Sequence, residues 1–551
     1  MKVKLELKQI MKENMATVIT ITGVAAILCV VAFSTSNDIP VGEMAYQKLW
    51  LGRMTVVFVI CSLFSLCLNR KQYLPFPSIV TWVLIALGGI EAIWGLRQIY
   101  GFAVSNHSLY ALTGSFYNPG PYSGYLVMIF PLCLHEWLNL KEKTEHTWIE
   151  LGKYYMALGV MLLILCVLPA GMSRSAWIAA AVSGAWVYGM HVSWGSKLKE
   201  IRKIYKRKVV LACIAGSIIF IVIGYSLFQL KATSANGRLF MWKISTLAIA
   251  ESPLIGHGTG NFVSAYGRAQ ESYFANEEYS ETEELVAGSP ECAFNEYLQV
   301  ATEYGIPFLF VVLLIIAFCL WKGSHEGRTG LCGGVIAVLV FAFSSYPMQI
   351  PGFAVTFYFL LAACVIGRSK IMLLFFISII ILLGTYYWKY NQYVVCKDWY
   401  RSKMLYNIGA YQSAKEEYEK LYSELKNRGA FLFEYGYCLH KLKQYDSSTI
   451  VLKEAMKHSC DPMILNIIGK NYQAVGKYEK AEESLIRSIH QLPGRIYPYY
   501  LLAKLYVEPE YQQPEKLKRM VEVVLTKEPK VQSTAVKEMR VEVKKLLKQI
   551  N

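Results

Sequence analysis

The chain has 551 residues, of which 54% are apolar and only 17% are charged, and its formal net charge is +16. Residues 1–390 contain 50 charged residues and residues 391–551 contain 46, so the first part is too apolar for a water-soluble fold while the second has an ordinary soluble composition. A purely cytosolic enzyme, a secreted disulfide scaffold and a disordered chain are excluded.

Long apolar runs dominate residues 1–390. Runs near 18 residues with few charges predict membrane-spanning helices. We predict eleven, at about 15–33, 50–68, 78–96, 122–138, 154–170, 175–191, 209–228, 298–320, 331–346, 352–366 and 371–388. The predicted fold is therefore all-α: a multi-spanning membrane domain over residues 1–390, followed by a separate soluble domain over residues 391–551.

Lysine and arginine are unevenly distributed between the segments that join these spans. With the N-terminus in the cytoplasm, 20 of the 29 basic residues in 1–390 lie on the cytoplasmic side, seven of them within 197–208. This bias predicts a cytoplasmic-membrane protein whose segments 97–121, 171–174 and 229–297, and whose C-terminal domain, lie outside the cytoplasm. Because the basic cluster adjoins a predicted span, we expect no nucleic-acid partner.

The soluble domain contains a repeat. Tyr411, Tyr445 and Tyr478 are 34 and 33 residues apart, and Gly436 and Gly469 are 33 apart. The pattern resembles the tetratricopeptide repeat, in which stacked helix pairs form a concave surface that commonly binds a protein partner. An unrelated helical bundle is the alternative.

Two arginines lie in segments that are predicted to face outward. Arg174 belongs to the turn between the fifth and sixth spans, and Arg238 follows the seventh. A guanidinium group stays charged and matches phosphate oxygens in pairs, so two such groups suit a pyrophosphate. The structural alternatives are that Arg174 extends its side chain from a helix end towards water and that Arg238 caps an interfacial helix.

Two further features carry less information. Glu91 and Arg97 near the outer end of the third span predict a structural ion pair, because charges within a membrane tend to pair with each other. The glycine-rich string of residues 252–262 is weak evidence for phosphate binding. The thirteen cysteines show no paired metal-ligand spacing, so no disulfide or metal site is predicted.

Several short motifs occur in an order that resembles the O-antigen ligase and polymerase family. They are Gly114-Ser-Phe-Tyr-Asn118-Pro, Ser173-Arg-Ser-Ala-Trp177, Gly237-Arg-x-x-Met-Trp242, Pro253-Leu-Ile-Gly-x-Gly-x-Gly-Asn-Phe262, and Asn295-Glu-Tyr-Leu-Gln299 with Glu303-Tyr-Gly-Ile306. The resemblance covers about residues 110–365. It implies a helical membrane bundle with a long outer loop at 229–297, and a bacterial enzyme that needs no cofactor or metal.

The resemblance also implies a reaction. Family members transfer a glycan from an undecaprenyl pyrophosphate carrier to an acceptor, and Arg174 and Arg238 match the positions that hold the pyrophosphate, with Asn118 and Asn295 as supporting motif residues. Lipid A core ligation, polymerisation of repeat units and transfer to protein hydroxyls all remain open, so the acceptor is a glycan, a lipid or a protein. The repeat domain favours a protein acceptor or partner.

This sequence departs from the family pattern at one position, since Phe294 stands where a histidine usually precedes Asn295. The base that accepts the acceptor proton must then be another residue, and Glu291, Glu296 and His257 are the candidates. We favour Glu291 because an offset of three residues shares a helix face whereas an offset of two does not. The competing functions are a transporter or flippase and a non-catalytic membrane scaffold that carries the repeat domain.

Overall fold

The structure, a computed structural model, describes residues 2–33, 35–40, 43–68, 75–195, 197, 232–276, 278–367, 370–387, 390–530 and 532–548. All the regular secondary structure of these residues is helical, which confirms the predicted all-α class. The chain divides into two compact units. The first comprises Met1–Leu227 and Phe310–Cys396, and the second comprises Phe228–Leu309 and Lys397–Asn551.

The described residues form the following α-helices in chain order. The first ten are α1 Lys2–Leu28, α2 Ala45–Leu68, α3 Phe76–Ile99, α4 Pro119–Lys141, α5 Trp148–Val167, α6 Arg174–His191, α7 Ala232–Glu251, α8 Phe262–Ala275, α9 Glu281–Val286 and α10 Glu296–Tyr304. The next five are α11 Ile306–His325, α12 Thr329–Ala342, α13 Pro351–Val365, α14 Lys370–Tyr387 and α15 Tyr390–Asn407. The last eight are α16 Tyr411–Leu425, α17 Gly429–Lys441, α18 Tyr445–Ala455, α19 Pro462–Ala474, α20 Tyr478–Gln491, α21 Ile496–Leu505, α22 Pro514–Thr526 and α23 Thr534–Lys548. Two short 3-10 helices complete the set, Cys29–Phe33 and Pro347–Gln349.

The first unit is a bundle of apolar helices in which α4 packs against α5, α6 and α12. Glycines allow the close approach: a Cβ atom at Gly124 would lie 2.2 Å from the Phe341 ring, and one at Gly333 would lie 2.7 Å from the Pro131 side chain. Such contacts are typical of membrane bundles, where van der Waals packing replaces the hydrophobic effect between helices.

Five of the eleven predicted spans correspond to helices that are long and apolar enough to cross a membrane: Lys12–Phe33, Ala45–Leu68, Phe76–Ile99, Trp148–Val167 and Ile306–His325. Three more are shorter apolar helices, Thr329–Ala342, Pro351–Val365 and Met372–Thr385. The predicted spans 122–138 and 175–191 are the helices α4 and α6. The predicted span 209–228 and most of the basic cluster 197–208 lie outside the described residues. A membrane protein is thus supported, while the number eleven stays a prediction.

One predicted span has the wrong extent. The segment 298–320 forms two helices instead of one, because α10 ends at Gly305, whose φ of +85° breaks the helix before α11 begins. A Cβ atom at Gly305 would lie 2.2 Å from the carbonyl oxygen of Leu254, so only glycine fits this crossing of two backbones. The hydropathy of the run concealed the break.

The predicted ion pair between Glu91 and Arg97 is also absent. A carboxylate oxygen of the buried Glu91 accepts a hydrogen bond from the backbone N–H of Ser115 at 3.1 Å, whereas Arg97 is exposed and points to the carbonyl of Phe102 at 3.5 Å. Glu91 therefore fixes the motif before α4 instead of neutralising an arginine.

The second unit differs from the predicted domain division, which joined residues 229–297 to the membrane domain. Here the loop helices α7, α8 and α10 share one hydrophobic core with the tail. Cys460 and Leu492 of the tail are buried in that core among Phe240, Phe262 and Tyr266. The hydrophobic core of the loop helices is thus completed by residues of the tail, about 200 positions later in the chain.

The tail forms an array of antiparallel helices whose period matches the sequence repeat. Helices α16, α18 and α20 begin at Tyr411, Tyr445 and Tyr478. The repeated glycines lie where successive helices cross: Cβ atoms at Gly436 and Gly469 would lie 2.7 Å from Leu452 and 2.9 Å from Leu485. Both contacts join residues 16 apart in sequence. The 33-residue spacing is therefore a packing repeat.

Candidate functional site

The N-terminal end of α10 carries Phe294 and Asn295 in a well-defined conformation. The side chain of Asn295 caps the helix, since its Oδ1 accepts hydrogen bonds from the N–H groups of Tyr297 at 3.0 Å and Leu298 at 3.1 Å. Phe294 has a φ of +49°, a left-handed conformation that is strained for a bulky side chain. Strain of this kind persists only where the surroundings fix it, and here the cap on one side fixes it.

Arg238 lies against this end of α10. Its guanidinium carbon is 5.7 Å from the centre of the Phe294 ring, which is cation–π distance. Burial raises the pKa of the neighbouring Cys292 thiol to about 12, and the charges of Glu296, Glu291 and Arg238 also act on that thiol. Arg238 thus lies against Phe294, which is close in sequence to Cys292 and to both predicted glutamates.

The two glutamates differ in their surroundings. Glu296 is buried, with 8% of its surface exposed, and it is the first residue of α10, where the helix dipole favours the charged carboxylate. Glu291 is exposed, and its side chain makes no hydrogen bond or ion pair with another residue in the described part of the chain. Glu291 is thus the carboxylate that an incoming hydroxyl can reach.

The glycine-rich turn packs against the other end of α10. The backbone N–H groups of His257 and Gly258 donate to the carbonyls of Thr302 and Glu303, both at 2.9 Å. A Cβ atom at Gly256 would lie 2.4 Å from the carbonyl carbon of Glu303. The glycines thus allow two backbones to touch, and these two N–H groups of the turn are bonded to carbonyl groups of α10.

His257 is engaged within this turn. Its Nε2 lies 2.8 Å from the carbonyl oxygen of Ala248, so Nε2 carries the hydrogen and donates it. Its Nδ1 lies 3.4 Å from a guanidinium nitrogen of Arg268. About seven residues of helix, or roughly 10 Å, separate this end of α10 from Phe294, so the structure does not bring His257 together with Arg238.

Glu303 is a carboxylate in the turn that the sequence reasoning quoted in a motif without assigning it a role. Burial raises its pKa, although hydrogen bonds from the Gly260 N–H and from Gln299 oppose the shift. Gln299 Nε2 donates to Glu303 at 2.7 Å, while its Oε1 accepts from the N–H of Ala293 at 2.9 Å. Gln299 therefore connects Ala293, before α10, with Glu303, near the end of that helix. The sequence did contain a sign of the second contact, because residues four apart on a helix lie on the same face.

The raised pKa of Glu303 predicts the sign of a pH effect. Because burial favours the protonated acid, the contribution of Glu303 to stability is greatest at acid pH and decreases as the pH rises through its folded-state pKa. Glu303→Gln, which stays neutral, should have a melting temperature that increasingly exceeds that of the wild type between pH 4.5 and 7.5. A constant difference across this range would contradict the assignment, and Glu278→Gln, which alters an exposed loop glutamate, is the control.

Arg174 and Asn118 belong to the first unit. Arg174 is the half-buried first residue of α6, directly after Met172 and Ser173, and Met172 has a φ of +45°. Asn118 caps α4, since its Oδ1 accepts from the N–H of Gly120 at 3.0 Å. The positive end of the α6 dipole and the Arg174 charge therefore coincide.

The comparisons with known proteins add one match. Residues 159–313 match the family model of O-antigen ligase. This segment is similar to O-antigen ligases. The O-antigen ligase-like segment includes Arg174, Arg238, His257, Glu291 and Asn295 but neither Asn118 nor the tail. It supports a membrane enzyme that transfers lipid-linked glycans. No curated protein matches the chain.

Two further observations concern ligands. Within the described ranges, no group of three or more histidine, cysteine, aspartate or glutamate side chains is arranged to hold a metal ion. A cavity of about 510 Å³ opens between α9 and the tail, lined by charged residues of both signs such as Glu284, Arg495 and Lys527. None of the predicted site residues lines it, so its size alone assigns it no role in the reaction.

Proposed function

We propose that this protein transfers a glycan from an undecaprenyl pyrophosphate carrier to an acceptor on the outer face of the bacterial cytoplasmic membrane. The observation that carries the proposal is the cluster of Arg238, Phe294 and Glu291, which lies wholly within the segment similar to O-antigen ligases. A cation beside an accessible carboxylate suits a reaction in which one group leaves as an anion while a hydroxyl attacks.

The arginines act on the leaving group. As the bond between the sugar C1 and the phosphate oxygen breaks, negative charge develops on the pyrophosphate, and a fixed guanidinium stabilises that charge. We assign this role to Arg238, whose guanidinium group lies over the Phe294 ring, and by the family resemblance to Arg174. The acceptor oxygen attacks C1 from the opposite side, its proton passes to a base, and undecaprenyl pyrophosphate departs.

Distance arguments favour Glu291 as that base. The attacking oxygen approaches C1 to about 3–3.5 Å, and the base lies within about 3.2 Å of that oxygen, so the base and the pyrophosphate ligand are close neighbours. Glu291 and Glu296 share the neighbourhood of Cys292 with Arg238, whereas His257 lies at the far end of α10. Of the two glutamates, Glu291 is exposed and Glu296 is buried.

We expect Glu291→Gln to lower kcat by about 100–10,000-fold, the usual effect of losing a general base, while KM for the lipid-linked donor changes little. Glu296→Gln and His257→Ala are the comparison variants and should retain a larger share of the activity. The measurement is steady-state turnover of the donor by each purified variant. If Glu291→Gln retains wild-type kcat while His257→Ala does not, the base is His257.

The location of the tail is a second expectation, motivated by the asymmetry of basic residues. In a single-cysteine background, a cysteine introduced at the exposed Ile450 should react with a membrane-impermeant maleimide added to intact spheroplasts. A cysteine introduced at Lys143, on the predicted cytoplasmic side, should react only after lysis. Protection of the Ile450 position in intact spheroplasts would contradict the outward location of the tail.

The tail has a structural role in this proposal and leaves the acceptor class open. The packing period of the tail supports a tetratricopeptide-type array, which could bind a protein partner. The family resemblance leaves the acceptor open between a glycan, a lipid and a protein. Phe294 at the usual histidine position is the one observation that favours a non-catalytic scaffold.

The experiment that tests the proposal uses purified protein in liposomes with radiolabelled, lipid-linked glycan and each acceptor class in turn. Transfer of label from the lipid to an acceptor is expected, whereas a scaffold would leave the donor intact. A transporter would move the donor across the bilayer without breaking its pyrophosphate linkage.

A further inference from the structure

Three helices of the tail, α17, α19 and α21, form one row of the array. Each of them packs against the next but one along the chain, in addition to its sequence neighbours. Residues at equivalent repeat positions therefore lie side by side on this row. Tyr437, Lys470 and Lys504 are such a set, 33 and 34 residues apart.

Three lysines converge on this row without carboxylates to neutralise all of them. Burial lowers the pKa of Lys470, and the nearby charges of Lys441 and Lys504 lower it further. Lys470 is half-buried, and it makes no hydrogen bond or ion pair with any residue in the described part of the tail. Lys504, the last of the three lysines along the chain, lies 3.1 Å from Glu542 and forms an ion pair with it. A partly desolvated cation held between two others is a site that gains from binding an anion.

Aromatic rings flank the lysines on both sides. On α17 the rings of Phe433 and Tyr437 stack at 6.2 Å with an interplanar angle of 26°. On α21 the rings of Tyr497 and Tyr500 stack at 6.2 Å and 25°. The ammonium groups of Lys441 and Lys504 lie 5.3 Å and 5.5 Å from the centres of the Tyr437 and Tyr500 rings.

The two sides of this surface belong to helices α17 and α21, which both pack against α19. Tyr437, Lys504 and Lys441 all contribute to the pKa of Tyr497, which burial raises. Tyr497 on α21 thus interacts electrostatically with Tyr437 and Lys441 on α17. The rings and lysines form a single surface.

We propose that this aromatic–lysine surface, defined by the half-buried residues Phe433, Tyr437, Lys470 and Tyr497 together with Lys441, binds an anionic glycan whose sugars carry carboxylate or phosphate groups. The C–H faces of sugar rings carry partial positive charge and pack on the negative faces of aromatic rings, while the lysines pair with the acidic groups. The alternation of aromatic rings and lysines suits a polymer that repeats sugar and charge. The inference rests on the proposed function, because a glycan is the group that the enzyme transfers.

The test is equilibrium binding to the full-length protein in lipid nanodiscs, with oligogalacturonate of six residues as the probe. Maltohexaose is the neutral control and hexaglutamate is the peptide control. We expect the oligogalacturonate to bind more tightly than both controls, with an affinity that falls as salt is raised. Lys470→Met and Tyr497→Leu should each weaken it by about tenfold, a change of about 1.4 kcal/mol.

Lys453→Met is the matched control, because Lys453 also lies over a tyrosine ring, that of Tyr472 at 5.7 Å, but on the neighbouring helix α18. Its affinity for oligogalacturonate should equal that of the wild type. Equal affinity of Lys470→Met and the wild type would overturn the proposal, as would tighter binding of hexaglutamate, which would identify a peptide surface. The binding measurement does not require catalysis. If the protein binds oligogalacturonate but does not turn over the lipid-linked donor, only the transferase function is refuted. If it turns over the donor but does not bind oligogalacturonate, only this surface is refuted.

Discussion

Replacing Arg238 with alanine should lower kcat for glycan transfer by about 100–1,000-fold, the loss that follows removal of one preorganised group that stabilises developing charge. The effect should be large because Arg238 lies against Phe294, three residues after Glu291, so the pyrophosphate would lose the proposed cation beside the carboxylates and keep only Arg174. The measurement is single-turnover consumption of lipid-linked donor.

Arg401→Ala is the matched control for this variant, since Arg401 is an exposed arginine in the same unit that pairs only with Asp398 at 3.5 Å. Folding of the Arg238 variant is checked through Cys292, whose burial raises its pKa to about 12 and should keep it unreactive towards maleimide at neutral pH. If Arg238→Ala is folded by this criterion and turns over donor at the wild-type rate, Arg238 does not bind the leaving group.

Deleting the tail after Cys396 should abolish activity, not merely alter the choice of acceptor. From the separate composition and repeat period of the tail, the sequence alone predicts that deleting residues 400–551 leaves the membrane part able to fold and impairs the choice of acceptor or partner. In the structure, however, Gln270 Nε2 donates to the buried carbonyl of Gln491 at 2.6 Å and Glu271 pairs with Arg487 at 2.6 Å. The loop that carries Arg238 and Glu291 would lose part of its core.

A point substitution tests the same interface without deletion. A Cβ atom at Gly267 would lie 2.7 Å from the Cβ of Cys460, so Gly267→Leu should separate α8 from the tail and lower kcat by at least tenfold. Gly288→Ala is the control, because no atom lies within 4 Å of a Cβ there. Burial raises the pKa of Cys460 to about 12, and with Cys460 as the single cysteine, alkylation should be slow in the wild type and fast in Gly267→Leu. Slow alkylation together with full activity in Gly267→Leu would show that this contact does not position the site.

The sequence predicted those features that depend on local periodicity. Apolar runs predicted the helices α2, α3 and α5, and the tyrosine spacing predicted a repeat, whose three tyrosines are the first residues of α16, α18 and α20. It could not predict the break at Gly305, because the break arises from a contact with Leu254 that is distant in sequence.

The candidate site shows the same division. The order of motifs identified Arg238 and Glu291 as candidate site residues, and in the structure Arg238 lies against Phe294, three residues after Glu291. The separation of His257 from them depends on which end of α10 the glycine turn contacts, and no spacing in the sequence encodes that. The joining of loop and tail through Gln270 and Gln491 likewise requires a fold in which residues 221 positions apart meet.

The central claim is that the protein breaks the bond between a glycan and its pyrophosphate carrier. The most direct measurement is the quantity of free undecaprenyl pyrophosphate that purified, reconstituted protein releases from lipid-linked glycan, counted against the glycosidic bonds formed. The account predicts one carrier released for each bond, with release nearly abolished in Arg238→Ala and Glu291→Gln. Donor that remains intact with wild-type protein in the presence of glycan, lipid and protein acceptors, or release that both variants leave unchanged, would contradict it.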